Sequence, residues 1–310
     1  MTKILITGGA GYIGSVLIPK LLNDDYQVTC VDNIMYEPTS LLMPTLNKNF
    51  KLIIGDARDK ELMKPLIEKA DIIIPLACMT GAPLCNKDKI SAITVNRDSI
   101  VMCSKFSSNN QLIIYPCTNS GYGVGENGIF CTEKSPLRPI SLYGKVKVEA
   151  ERILLDKGNA ITFRLATVFG ISPRPRLDLL VNDFTYRAFF DKTVVLFEPD
   201  FKRNYLHIDD AVDGFRFAIN NPQLSGECFN LGYSEANLSK RELCEKIKKI
   251  IPDFVYLVSE IGSDVDKRNY IVSNEKIESF GFKAKRSLEQ GINELVCALP
   301  LMKRKQFANI

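Results

Sequence analysis

Tyr143 and Lys147 stand four residues apart in "SLYGKVK", residues 141–147. On a helix that spacing puts both on one face, so a phenol and an ammonium could act on one object. Alone, the pair reads equally well as a surface lysine beside a half-buried tyrosine. A second stretch, "ILITGGAGYIGS", carries Gly8, Gly11 and Gly14 in the order G-x-x-G-x-x-G. The first glycine permits a tight turn, the second lets a pyrophosphate approach the backbone, and the third allows close helix–strand packing. Tyr12 and Ile13 complete the loop, and the helix it opens would turn its free N–H groups toward phosphate. The run "VTCVDN" then ends in Asp32 and Asn33. Asp32 is placed to accept hydrogen bonds from an adenosine ribose and to repel a 2′-phosphate, so NAD is expected in preference to NADP. The competing reading is a tight turn that matches the pattern by coincidence.

These residues need a scaffold that brings them together. The runs "KILIT", "QVTCVD", "FKLIIGD", "DIIIPLA", "QLIIYPC" and "ITFRLATVFG" are almost continuously apolar, as strands buried on both faces of a parallel sheet are. Helical patterns at about 12–23, 60–69, 89–108 and 142–157 alternate with them. Alternation of this kind implies right-handed crossovers and a doubly wound α/β sheet. Pro19 falls inside the first helix and removes one of its hydrogen bonds, so a kink or an early end is expected there. After Gly170 the texture changes. "ISPRPRLDLLVND" reads as a loop and lobe boundary, "VVLFE", "YLHIDD" and "ECFNLG" as strands, and about 210–220 as a helix. Ser239 with Glu242, and Ser287 with Gln290, have the spacing of capping boxes that open two further helices.

The totals exclude several classes. At 310 residues the chain can bury roughly three quarters of its surface, which suits one large α/β domain or two lobes. The net charge of +4 is small and no long basic block occurs, so nucleic acid is not an expected partner. The nine cysteines contain no CxxC pair and no Cys/His cluster, which points to reduced thiols rather than a disulfide frame or a metal site. Strand-like "KILITGG" begins almost at once and no apolar run is long enough to span a bilayer. The expectation is a soluble cytoplasmic protein.

Taken in order, "TGGAGYIGS", "GDARD", "PLAC", "PCTNSGYG", the Tyr143–Lys147 pair and "RNYLHIDDAV" resemble the extended short-chain dehydrogenase/reductase family of nucleotide-sugar epimerases and dehydratases. The resemblance covers nearly the whole chain. It implies a Rossmann-type NAD-binding domain over 1–170, joined by a returning segment near 205–232, and a smaller C-terminal α/β lobe over 171–310 that holds a nucleotide-diphosphate sugar. It implies that Tyr143 is the acid–base group, that Lys147 binds the nicotinamide ribose and lowers the tyrosine's pKa, and that Thr118 holds the sugar hydroxyl. A free tyrosine titrates near ~10, and bringing it close to neutrality takes about 4 kcal/mol of differential stabilisation.

Other positions carry over from the resemblance with alternatives open. Asp56, with Ala57 beside it, matches an adenine contact or is a strand-end turn aspartate. Leu76 and Ala77 would line the cofactor channel, though Pro75 replaces a usual polar residue. Asn96 matches a family asparagine or packs its helix. Asn119 and Ser120, next to Thr118, would face the substrate. Arg203 and Arg268 match arginines that hold the sugar nucleotide's pyrophosphate, for which a guanidinium is suited, or are solvated charges. Arg174, Arg176 and Asn182 would bind the substrate, or else shape their loop, with the two readings in balance. The sole histidine, His207, reads as structural. The helices near 89–108 and 142–157 would pair in a homodimer.

The resemblance leaves the reaction open among three outcomes. In the 4,6-dehydratases an Asp-Glu pair follows the threonine; here Asn119 and Ser120 stand there, which argues against dehydration. A closer similarity, in "PCTNSGYG" and "FRLATVFGISPRPRLDLLVNDFTYRA", is to the GDP-manno-heptose dehydrogenase branch. It implies oxidation of GDP-D-glycero-α-D-manno-heptose at C4 in capsular heptose synthesis, with a 2-oxo acid such as α-ketoglutarate reoxidising NADH. Two departures are Cys117 beside Thr118, and Thr167 where many epimerases have asparagine. The alternatives are a nucleotide-sugar 4-epimerase, for instance on UDP-glucose, and a non-catalytic NAD-binding redox sensor.

Overall fold

The computed structural model describes residues 1–36, 38–126, 128–262 and 268–302. Seven strands form one parallel sheet: β1 (Lys3–Thr7), β2 (Gln27–Asp32), β3 (Phe50–Ile54), β4 (Ile72–Pro75), β5 (Leu112–Thr118), β7 (Ala160–Leu165) and β11 (Cys228–Leu231). The short β6 (Phe130–Cys131), β8 (Thr167–Phe169), β9 (Thr193–Leu196) and β10 (Lys202–His207) intervene in the chain and lie outside that sheet. The spatial order is β11-β7-β5-β4-β1-β2-β3. Strand order reverses between β1 and β4, and ligands of such sheets bind in the crevice beyond the strands' carboxyl ends at that point. The register brings Thr7 opposite both Val31 and Pro75, and Thr118 opposite Leu165.

Both faces are covered, which is why the strands read as continuously apolar. On one face Ile4, Ile6, Ile74 and Ile114 pack with Leu17, Ile18 and Leu21 of helix α1 (Gly14–Asn23). On the other, Leu5, Ile73 and Ile113 pack with Met63 and Ile67 of α2 (Lys60–Lys69). Pro19 does not end α1 early: the helix runs through it to Asn23, with Leu17, Ile18, Leu21 and Leu22 all buried. Burial of that face outweighs the lost hydrogen bond.

Three expectations need correction. The helix expected over 89–108 is α4 (Lys89–Ile93), a π-helical turn (Thr94–Asp98) and α5 (Ser99–Phe106), preceded by a short α3 (Ala82–Lys87). The run "ITFRLATVFG" is two strands: β7 stays in the large sheet, while β8 pairs with β10 in a second sheet with β12 (Asn237–Ser239). Both halves are largely buried, so the sequence shows no seam. The loop expected over 171–183 gives way to helix at Leu180: α7 (Leu180–Phe190) buries Val181, Phe184, Thr185 and Ala188 at helical spacing.

After α6 (Leu142–Lys157), discussed below, and α7, the chain returns through α8 (Ile208–Asn220), whose Ala211, Val212 and Phe215 join the core of the large sheet. Ser239 and Glu242 form the expected capping box at α9 (Lys240–Ile250). At α11 (Leu288–Ala298) the Ser287 hydroxyl caps Gln290 N–H. These two helices and α7 enclose a second apolar core around Phe169, Tyr205 and Phe254. Among the described residues no helix is long and apolar enough to cross a membrane.

Candidate active site

A cavity of about 340 Å³ opens at the carboxyl edge of the large sheet and runs from Gly8 past Asp32 to Tyr143, within the size range of small-molecule sites. The glycine loop forms one end. Gly8 has φ +71°, and a Cβ there would lie 2.5 Å from the Ala77 nitrogen, so the turn tolerates no side chain. Gly14 packs so closely that a Cβ would meet Gly9 backbone at 2.5 Å. Helix α1 begins with no side-chain cap, and Gly11, Tyr12, Ile13 and Gly14 all line the cavity. Ser15 and Val16 N–H donate to the Gly11 and Ile13 carbonyls, which leaves the N–H groups of Ile13 and Gly14 to meet an anion. Tyr12 itself is an anchor: its hydroxyl donates to the Gly170 carbonyl at 2.8 Å.

Asp32 ends β2 against this loop. One carboxylate oxygen accepts from Ala10 N–H at 2.9 Å and the other from Ile34 N–H at 2.8 Å. Each oxygen keeps a lone pair for a ligand hydroxyl, and Asn33 lines the wall beside it. Asp56 and Ala57 follow β3 into the cavity. Arg58, missed in the sequence reading, grips Asp56 with its Nε at 3.0 Å and Nη2 at 2.6 Å, and this holds the carboxyl below the usual range. Leu76 and Ala77 line the channel after β4. A bent glycine turn, an uncapped helix start and a carboxylate at the end of β2 together fit a dinucleotide.

The other end holds the polar triad. Ser141 caps α6 by accepting from Gly144 N–H at 3.1 Å, so the helix opens just before Tyr143. One turn on, Lys147 is 3% exposed, with its ammonium 4.1 Å from the centre of the Tyr115 ring. Cys117 donates to the Lys147 carbonyl at 3.6 Å, so the unexpected cysteine fastens strand to helix. Thr118, Tyr143 and Lys147 all line the cavity. The Thr118 hydroxyl accepts from Ser120 N–H at 3.1 Å and pairs with Ser120 Oγ at 3.0 Å. Arg268 donates to that same Ser120 hydroxyl.

Burial pushes the Tyr143 phenol well above its ordinary value, Cys78 and Cys117 add to that, and Arg176 opposes it. Arg176 is itself half-buried and paired with Asp178, Nη2 to Oδ2 at 2.5 Å.

Four expected contacts lie outside the cavity lining. Asn96, on the π turn, grips the loop after β4: it accepts from Met79 N–H at 2.8 Å and donates to Met79 carbonyl at 2.9 Å. Asn182 accepts from Gly170 N–H at 3.0 Å and donates to the Arg176 carbonyl at 2.9 Å, so it shapes the loop. Asn119 is buried with neither amide atom hydrogen-bonded. Arg203 is buried and donates to the Lys202 carbonyl at 2.8 Å, behind Tyr270. Missed residues that do line the cavity include Tyr36, Cys78 and Tyr270. His207 is structural: Nδ1 accepts from Asp209 N–H at 3.2 Å and Nε2 faces Glu294 at 3.0 Å.

Residues 4–232 match the family described as the NAD dependent epimerase/dehydratase family. That match spans well over half of the chain. The chain belongs to this family. It is 27% identical to the dTDP-D-glucose 4,6-dehydratase of Mus musculus, over 95% of this chain and 87% of that protein. Among solved structures it is similar to the UDP-glucose 4-epimerase of Thermotoga maritima, with a TM-score of 0.80 and 26% identity over 97% of this chain and 99% of that one. The dTDP-glucose 4,6-dehydratase of Bacillus anthracis, solved with NAD, shares the fold at a TM-score of 0.84 and 22% identity, with 99% of each chain covered. The family is one of NAD-dependent enzymes acting on nucleotide sugars, and NAD is the cofactor.

Proposed function

We propose that the protein oxidises C4 of a nucleotide-diphosphate sugar, with Tyr143 as the base. The observation that carries this is one cavity joining the glycine loop to Thr118, Tyr143 and Lys147. In this reading Tyr143 Oη takes the proton of the C4 hydroxyl. Thr118 Oγ turns from Ser120 to that hydroxyl and orients it. Lys147, held against the Tyr115 ring, fixes the ribose of the cofactor through its ammonium. Bound NAD would supply the hydride acceptor and a positive charge, and a positive charge near the phenol would offset the burial that raises the Tyr143 pKa.

The carboxylates of the described lining residues are Asp32 and Asp56, and both lie at the glycine-loop end. Elimination of water across C5 and C6 needs an acid and a base near the sugar, and Asn119 and Ser120 cannot supply a carboxyl. This favours a simple redox outcome. The finer reading is a 4-dehydrogenase of GDP-D-glycero-α-D-manno-heptose whose NADH is reoxidised by a 2-oxo acid, supported by the similarity of residues 163–188 to that branch. A 4-epimerase uses the same triad, and the likeness to UDP-glucose 4-epimerases keeps it as a second reading. Nicotinamide absorbance with GDP-heptose, GDP-mannose and UDP-glucose offered in turn tests both. Reduced cofactor that accumulates only with GDP-heptose and decays on adding α-ketoglutarate supports the dehydrogenase. An inverted sugar with no net redox change supports the epimerase.

The family reading also implies a homodimer through α4, α5 and α6. Exposed Ile90 and Val101 on the first two support it, and sedimentation showing only monomer would remove it.

A further inference from the structure

Arg174 carries a buried charge with no countercharge in contact. The residue is 6% exposed and lines the cavity. Its one hydrogen bond through the guanidinium runs to the Pro175 carbonyl at 3.2 Å, and among the described residues no carboxylate forms an ion pair with it. Burial lowers its pKa, and the neighbouring Arg176 lowers it further. A buried cation of this kind is costly unless an anion arrives. Four of its five donors remain for one.

The surroundings say which anion. Arg174 N–H donates to Ser172 Oγ at 3.2 Å, and Ser172 Oγ in turn donates to the Tyr12 carbonyl at 2.8 Å and meets Ser15 Oγ at 2.8 Å. The loop that carries Arg174 is thus fastened to the first turn of α1, the uncapped helix start. From the other side Tyr36 reaches the guanidinium, with its ring centre 4.0 Å from Arg174 Cζ. The backbone leading to Tyr36 is strained: Ile34 has φ +55°, rare for a β-branched residue, and the Asp32 carboxylate holds its N–H. The turn brings an aromatic ring to the cavity wall, against the Arg174 guanidinium.

We propose that Arg174, stacked on Tyr36, closes over the start of α1 and binds the pyrophosphate of the dinucleotide rather than the diphosphate of the sugar nucleotide. This reverses the expectation that Arg174 serves the substrate, and it rests on the reading of the cavity as an NAD site. Arg268 and Ser120, at the far end, are left for the sugar nucleotide.

Calorimetric titration of cofactor-free protein with NAD, adenosine and GDP tests the proposal. A charge-assisted pair of hydrogen bonds lost from a buried site weakens binding by about tenfold to a hundredfold. Arg174→Gln is expected to weaken NAD by that factor while adenosine and GDP bind as before. Arg174→Lys keeps the charge without the planar stack and falls between, and Tyr36→Phe keeps the stack and matches the unaltered protein. NAD affinity unchanged in Arg174→Gln overturns the clasp, whether GDP binding weakens instead or nothing changes. Failure of the unaltered protein to bind NAD overturns the cofactor reading itself, and the clasp with it.

Discussion

Replacing Glu151 is expected to destabilise this protein by a fifth or more of its total stability. Glu151 lies on α6 one turn beyond Lys147, and its side chain and that of Arg164 on β7 are 2% and 6% exposed. Its carboxylate accepts from Arg164 Nη2 and Nε at 3.0 Å each and from Thr162 Oγ at 3.0 Å. Arg164 also donates to Tyr122 Oη at 3.2 Å and to the Glu133 carbonyl at 3.0 Å. Burial works against the arginine's charge, and Glu151 and Tyr122 outweigh it, so its pKa is raised. Glu151→Leu leaves that guanidinium buried without its carboxylate, which costs about 3–5 kcal/mol against a typical total of about 5–15 kcal/mol. At a urea m-value near 3 kcal/mol/M this lowers the midpoint by roughly 1 M or more. The chain has no tryptophan, so far-UV circular dichroism is the probe. Arg164→Met completes a double-mutant cycle. The double variant is expected to lose about 2–3 kcal/mol less than the sum of the singles, because neither charge is then stranded. A single loss below about 1 kcal/mol, or additive singles, would refute the idea that this pair holds α6 against the sheet.

Tyr143→Phe is expected to lower turnover by at least ~10²-fold, the low end for an acid–base group; near-normal single-turnover rates would sink the mechanism. Asp32→Ala should weaken NAD more than NADP in titrations, and equal losses would contradict the ribose assignment. His207 is buried as the neutral ring, and burial outweighs Glu294 to lower its pKa below the ordinary value of about 6.5. Its contribution to stability is therefore complete above that pH and lost as pH falls toward the lowered value. Unfolding free energy followed from neutral pH downward should fall less steeply in His207→Gln than in the unaltered protein.

The parts of the site legible in the sequence are those made by one short stretch. A strand, three glycines and a helix start are contiguous, so "ILITGGAGYIGS" carries its own geometry, and Asp32 needs only the next strand to reach it. Tyr143 and Lys147 are legible for the same reason: one helix turn relates them. The setting of that pair was not: Tyr115, a core residue of β5, takes up the Lys147 ammonium, and nothing local to Lys147 announces it. Likewise Tyr36 and Arg174 stand 138 positions apart and meet only because β2 of the large sheet and β8 of the small one deliver their loops to the same cavity. Asn96 shows the converse. Its residue type suggested a ligand contact, yet the π turn over Thr94–Asp98 turns its amide onto Met79, and a π turn leaves no mark in apolar periodicity. The functional weight of Asn96 is then indirect. It fixes the loop after β4, whose Leu76 and Ala77 form the wall that Gly8 touches, so a defect there would reach the dinucleotide through the wall without removing a single ligand contact.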